Sequence, residues 1–235
     1  MGTNAGYSNV DGIQNTYIGA AAGYTSPSQN YNVFVGREAG YFNASDSIVG
    51  IGRNCLHAHT TGTGNVAMGT GTMNLTTTGS SNTAIGNSAL GTNVTGERNT
   101  VMGYNAADAG GTNVLNYNVI IGFNALTTAT NTCSSNVIIG DAAAALTAGV
   151  SNAVLIGQGA GGTCSGARSV GIGASVLSAT TGTDNVVLGY FAGSALTTGY
   201  YNTGLGTQAL RTSSTAFQNT SIGFQTLFLN STGNS

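Results

Sequence analysis

Along this chain short apolar triplets alternate with longer polar stretches, and each triplet stops at a glycine. These glycines are Gly2, Gly19, Gly36, Gly52, Gly69, Gly86, Gly103, Gly122, Gly140, Gly157, Gly173, Gly189, Gly206 and Gly223, about seventeen residues apart. The residue before the glycine is apolar in every copy after the first, as in Val35, Met68, Ile85, Ile139 and Leu205. Two residues earlier stands Val or Thr throughout, as in Val33, Thr83, Val137 and Thr203. Period-two alternation in β-branched residues predicts a strand with one face on a core. A period of tens of residues kept from end to end predicts a solenoid and not a globular catalytic domain. The fold expected over residues 1–235 is therefore all-β: a single parallel β-solenoid array of about 14 coils, each centred on one of these glycines.

The position between the two β-branched columns is variable, running Tyr17, Phe34, Gly50, Ala67, Ala84, Val101, Ile120, Ile138, Leu155, Gly171, Val187, Gly204, Ser221. It is never charged. The regular columns are expected to point inward, with Ile85 stacked between Met68 and Met102. The variable column is then expected to meet another copy of the chain, burying Ile120, Ile138 and Leu155 between subunits.

Three residues after each glycine the side chain is small, as in Ala22, Cys55, Thr72, Ala89, Ala125 and Val176, which predicts close backbone packing. The next position, often Leu as in Leu56, Leu90 and Leu210, is read as a second short strand or a turn that closes the coil. Asn stands four residues before the glycine in ten coils, among them Asn65, Asn82, Asn136 and Asn202. Asn suits a corner, and stacked Asn side chains would form a ladder. The rest of each repeat is a polar loop, often ending in Thr-Thr-Gly, as at Thr60-Thr61-Gly62 and Thr197-Thr198-Gly199. Length variation is confined to this loop, where it costs little. Neither end carries a recognisable cap, so the array is expected to be a piece of a longer fibre or to be continued by other chains.

Composition sharpens this picture. Charged residues make up only 5 per cent of the chain, against about 25 per cent in ordinary soluble domains. The periodic apolar positions exclude disorder all the same. A net charge of −2 gives no basis for nucleic-acid binding, and no apolar run predicts membrane insertion. A lone roll so rich in glycine is marginal against its ordering entropy, which favours an oligomer.

Candidate chemistry is sparse. Cys55, Cys133 and Cys164 have no metal or disulfide spacing and are read as small buried side chains. The acids Asp11, Glu38, Asp46, Glu97, Asp108, Asp141 and Asp184 are scattered, with no pair suited to glycoside hydrolysis. The string Gly157-Gln158-Gly159-Ala160-Gly161-Gly162 mimics a phosphate loop but lacks the following helix and Lys. No catalytic or cofactor-binding residue is assigned, no cofactor is expected, and the chain is read as a non-enzyme. His57 and His59, the only histidines, sit in one loop and are expected to be solvated. The competing reading puts both rings on one face, converging in a trimer as an axial transition-metal site.

The pattern Asn-Thr-Ala-Ile-Gly-x-x-Ala, present at Asn82 to Ala89 and nearly so at Asn118 to Ala125, resembles the head repeats of YadA-like trimeric autotransporter adhesins. It is more similar still to repeats of viral and phage tail-fibre proteins. The resemblance covers the whole chain, although the period is longer than in adhesin heads. It implies a left-handed β-roll, a homotrimer, and an extracellular place on a virion tail fibre or bacterial surface. The function expected is a structural or adhesive shaft that contacts a host receptor or glycan. The rival expectation is an ice-binding β-solenoid that uses Thr arrays; a third reading, a hydrolytic tailspike, has the absence of a carboxylate constellation against it.

Overall fold

The computed structural model describes residues 2–108, 114–128, 132–146 and 149–230. The chain divides into two compact units, Met1–Tyr117 and Asn118–Ser235, built on the same repeat. In the first unit the strands are β1 (Thr16–Ile18), β2 (Val33–Val35), β3 (Val49–Ile51), β4 (Val66–Met68), β5 (Thr83–Ile85), β6 (Thr100–Met102) and the short β7 (Leu115–Asn116). In the second they are β8 (Val119–Ile121), the short β9 (Cys133–Ser134), β10 (Val137–Ile139), β11 (Val154–Ile156), β12 (Val170–Ile172), β13 (Val186–Leu188), β14 (Thr203–Leu205) and β15 (Thr220–Ile222). β1 to β6 stack as consecutive parallel neighbours, and so do β8 and β10 to β15. Met68 pairs with Ile85, and Ile85 with Met102. This is the expected parallel β-solenoid, with one three-residue strand per coil, a small second sheet made by β7 and β9, and no helix among the described residues.

Which face looks inward is the reverse of the expectation. The variable middle residue is the buried one: Phe34, Ala84, Val101, Ile120, Ile138 and Leu155 are fully enclosed within their own units. The β-branched neighbours on either side point outward, half-buried or exposed, and Ile85 among them is not in the core. Ile120, Ile138 and Leu155 are therefore interior residues and not available to a partner chain.

The reason for the variability lies across the coil. The middle residue and the residue six positions later share the interior, and their sizes compensate. Phe34 faces Gly40, where a Cβ would stand 2.4 Å from the ring. Conversely Gly204 leaves room for Leu210, whose Cδ1 would lie 2.9 Å from an added Cβ. The pairs Gly50/Leu56, Ala84/Leu90, Leu155/Gly161 and Val187/Gly193 follow the same rule, which keeps the coil volume nearly constant. Ile120/Leu126, both large and fully buried, are an exception.

No second strand closes the coil; a turn does. In the Gly86 coil Ser88 and Leu90 both have φ of 53°, and the same two positions are left-handed in coil after coil. The Ser88 N–H donates back to Thr70 O (2.9 Å) and the Leu90 N–H forward to Ala106 O (2.9 Å). Alternating left-handed residues thus turn the chain while keeping its N–H groups parallel to the stacking direction, where acceptors wait. The small column between them is buried, Ala89 and Ala125 completely. Gly86 itself has φ of +135°, and a Cβ there would lie 2.2 Å from Gly103 O of the next coil. Only glycine meets both conditions, which explains the unbroken column.

Candidate interaction surfaces

The coils present one regular feature in the outer face of the strands. It consists of two columns, Val or Thr before the buried residue and Ile, Val, Leu or Met after it, without a charged residue in either. Ile18 is 49 per cent exposed, Leu205 48 per cent and Ile222 66 per cent. Short strands with a strictly inward middle residue make this face regular from rung to rung. A contiguous apolar strip of this kind is unusual on an unpartnered surface.

The corner before each strand is polar and closed. Asn32, Asn65, Asn82, Asn99, Asn136, Asn185 and Asn202 are buried. Asn65 Oδ1 accepts from the Asn82 backbone N–H (2.9 Å) and from Asn82 Nδ2 (3.2 Å), while Asn65 Nδ2 donates to Gly79 O (2.7 Å). The same contacts recur from Asn82 to Asn99 and from Asn185 to Asn202. This is the ladder the sequence suggested, and its amides serve the backbone of the neighbouring coil.

His57 and His59 do not share a face. His59 lies inside this corner with no exposed surface. Its Nδ1 is 3.0 Å from Asn43 Oδ1 and 3.3 Å from Ser45 Oγ, and its Nε2 accepts from Asn65 Nδ2 (3.1 Å). Burial pushes its pKa down to about 4, so the ring is neutral at ordinary pH. The Ser45 hydroxyl donates to Gly62 O (2.7 Å); with Nε2 accepting from Asn65, the His59 Nδ1 beside it carries the ring proton and does not serve as its base. His57 instead stacks outside on Tyr41, 5.2 Å between ring centroids, with Nε2 3.9 Å from Glu38 Oε2. The expectation that both histidines are solvated thus fails for His59, and the converging pair required for an axial metal is not formed. No group of three or more His, Cys, Asp or Glu among the described residues is arranged to hold a metal.

Tyr7, Tyr24 and Tyr41 continue the His57 stack, one ring per coil at 5.0 and 4.8 Å. This column was not singled out in the sequence, although its period matches that of the glycines. Of the scattered acids, Glu38, Glu97 and Asp184 lie beside Arg37, Arg98 and Arg168. The bidentate Arg168 contact, helped by the Thr183 hydroxyl, holds the Asp184 carboxyl down at about 2. Cys55, Cys133 and Cys164 are buried free thiols, and burial raises all three pKa values, Cys55 to about 12 and Cys164 to about 11. They are poor nucleophiles there.

Each of the Thr-Thr-Gly loops turns one hydroxyl to the backbone. Thr60 and Thr77 donate to Thr77 O and Val94 O, and Thr181 and Thr197 to Thr197 O and Ser214 O, each one coil onward. Next to Thr60 and Thr77 in this column stand Ala44 and Val94, so the Thr run is only two coils long. No family model, no curated protein and no solved structure matches this chain.

Proposed function

We propose that this chain is a structural shaft of an extracellular fibre, a virion tail fibre or a bacterial surface adhesin, in which three copies pack through their outer strand faces. The shaft would hold an attachment tip away from the particle or cell and add weak contacts to a host receptor or glycan along its length. The observation that supports this most is the uncharged Val/Thr and Ile/Val/Leu/Met strip. Burying such a strip between copies returns roughly 25 cal/mol per Å² of apolar surface. Its regularity lets every coil contribute the same contact, which suits a symmetric assembly. The motif resemblance favours three copies over two.

The test is sedimentation of the purified chain beside an Ile139→Asp variant. Ile139 lies on the outer strip, so the substitution leaves the coil interior alone and places a charge in the contact. A trimer that becomes a folded monomer in the variant is the expected result. A stable wild-type monomer overturns the assembly.

The ice-binding alternative retains one favourable observation, an outer face whose first column is entirely β-branched. Against it, the second column carries the flexible Met68 and Met102, and the paired Thr loops are short. Ice shaping abolished by Thr83→Leu and Thr100→Leu would favour this alternative and leave the fold untouched.

A further inference from the structure

We propose that a cleft over Gly91 is a binding site for an alkylammonium group, the lysine side chain of a partner protein. The cleft has a volume of about 200 Å³ and spans three consecutive coils of the first unit. Gly71, Asn74 and Leu75 come from one coil, Ser88, Gly91 and Thr92 from the next, and Asp108 from the third. That volume is well below the roughly 300–1,000 Å³ of sites for drug-sized molecules, so it takes a single small group.

The cleft exists because two side chains are missing. Gly91 occupies the column that elsewhere carries Tyr7, Tyr24, Tyr41, His57 and Asn74. Asp108 of the next coil leans over it, with Oδ1 2.8 Å from where a Gly91 Cβ would stand. At Gly71 an added Cβ would meet nothing nearer than Ser88 Oγ at 3.7 Å. The groove between these two glycines is open.

The lining chiefly accepts hydrogen bonds. The Ser88 hydroxyl donates to Asn87 Oδ1 (3.0 Å), and the Thr92 hydroxyl donates to the Asp108 carboxyl, so each presents lone pairs to the cleft. Asp108 is half-buried and pairs with no arginine or histidine among the described residues. Burial raises its pKa and the Thr92 bond partly offsets that, which is the condition a cation relieves. Only the Asn74 amide, which makes no hydrogen bond of its own among the described residues, can donate. An ammonium group supplies three donors and one positive charge, matching this set. Leu75, 47 per cent exposed at the rim, suits the methylene stem that carries such a group and distinguishes it from an amine on a sugar ring. A hard divalent cation is a poorer fit, since it seeks six or more oxygen ligands and usually several carboxylates.

The five basic residues of this sequence are all arginine, so these 235 residues of a second copy offer no lysine, and the occupant proposed is a different protein. The site lies within one chain and does not rest on the shaft reading.

Titration of the full chain with n-butylammonium, followed through the backbone amide shifts of Gly91, Thr92 and Asp108, tests the proposal. Saturable shifts are expected, weakened at least tenfold by Asp108→Asn and to a similar degree by Gly91→Ala, which fills the cleft at an unstrained φ. Binding should also weaken on acidification as the Asp108 carboxyl takes up its proton. No saturation, equal affinity in Asp108→Asn, or tighter binding of glucosamine or calcium would each overturn it. Saturation in a chain that sediments as a monomer would support the cleft and count only against the shaft.

Discussion

Two residues carry most of what is unusual at the residue scale. Gly86 combines a φ of +135° with a 2.2 Å approach to the next coil. Gly86→Ala is expected to cost at least about 2 kcal/mol, since backbone strain of order 1–3 kcal/mol adds to a collision with backbone. Gly91→Ala, with ordinary φ, a flexible carboxyl at 2.8 Å and the Ser88 carbonyl at 3.1 Å, should cost less. Thermal melts of the two variants make the comparison. His59 is the other residue. Its folded pKa, about 4, lies below the unfolded value of 6.5. Between these values the unfolded chain binds more protons, so stability falls as pH falls from 6.5 towards 4 and is fully present above 6.5. About 2.5 pH units at 1.36 kcal/mol each put the total near 3 kcal/mol. His59→Asn, which copies the residue at the equivalent Asn43 and Asn93, should remove this pH dependence in urea titrations.

At the scale of the element, the strand is a three-residue unit whose inner and outer positions answer to different partners. Ile138 is enclosed and Ile139 half-exposed, so Ile138→Asp should prevent folding while Ile139→Asp should leave the coil intact. Circular dichroism of the pair separates the two faces, and equal effects would mean that neither face dominates. The inner position is further tied to the residue six places on. Gly204→Leu should overpack its coil by about 1–3 kcal/mol. Leu210→Gly in the same chain should recover much of that loss, a coupling that a double-mutant cycle reads directly.

On the scale of the whole molecule, every strand pairing among the described residues is made with the next coil, and these pairings leave the apolar strip uncovered. If copies meet there, folding and assembly are linked, and the melting temperature of the wild-type chain should rise with protein concentration. The Ile139→Asp chain should melt at one temperature across the same range. A concentration-independent melt in both would detach the strip from assembly.

Much was legible in the sequence, because a solenoid writes its geometry as a period. The glycine column, the parallel register of Met68, Ile85 and Met102, the small buried column at Ala89 and the Asn ladder all follow from residues that recur at one spacing. The direction of the strand did not. Period two says that neighbours face opposite ways but not which way is in, and the regular apolar columns looked more like a core than the variable one. The size compensation between Phe34 and Gly40, or Gly204 and Leu210, was present in the sequence and would have decided it. It is a relation between positions, invisible when each column is read alone. The enclosure of His59, set in a column with Asn43 and Asn93 and tied to Ser45 and Asn65, and the cleft that opens where Gly91 stands between Asn74 and Asp108, depend on what the adjacent coils supply. Those neighbours are far apart in the chain and become neighbours only when the coils stack.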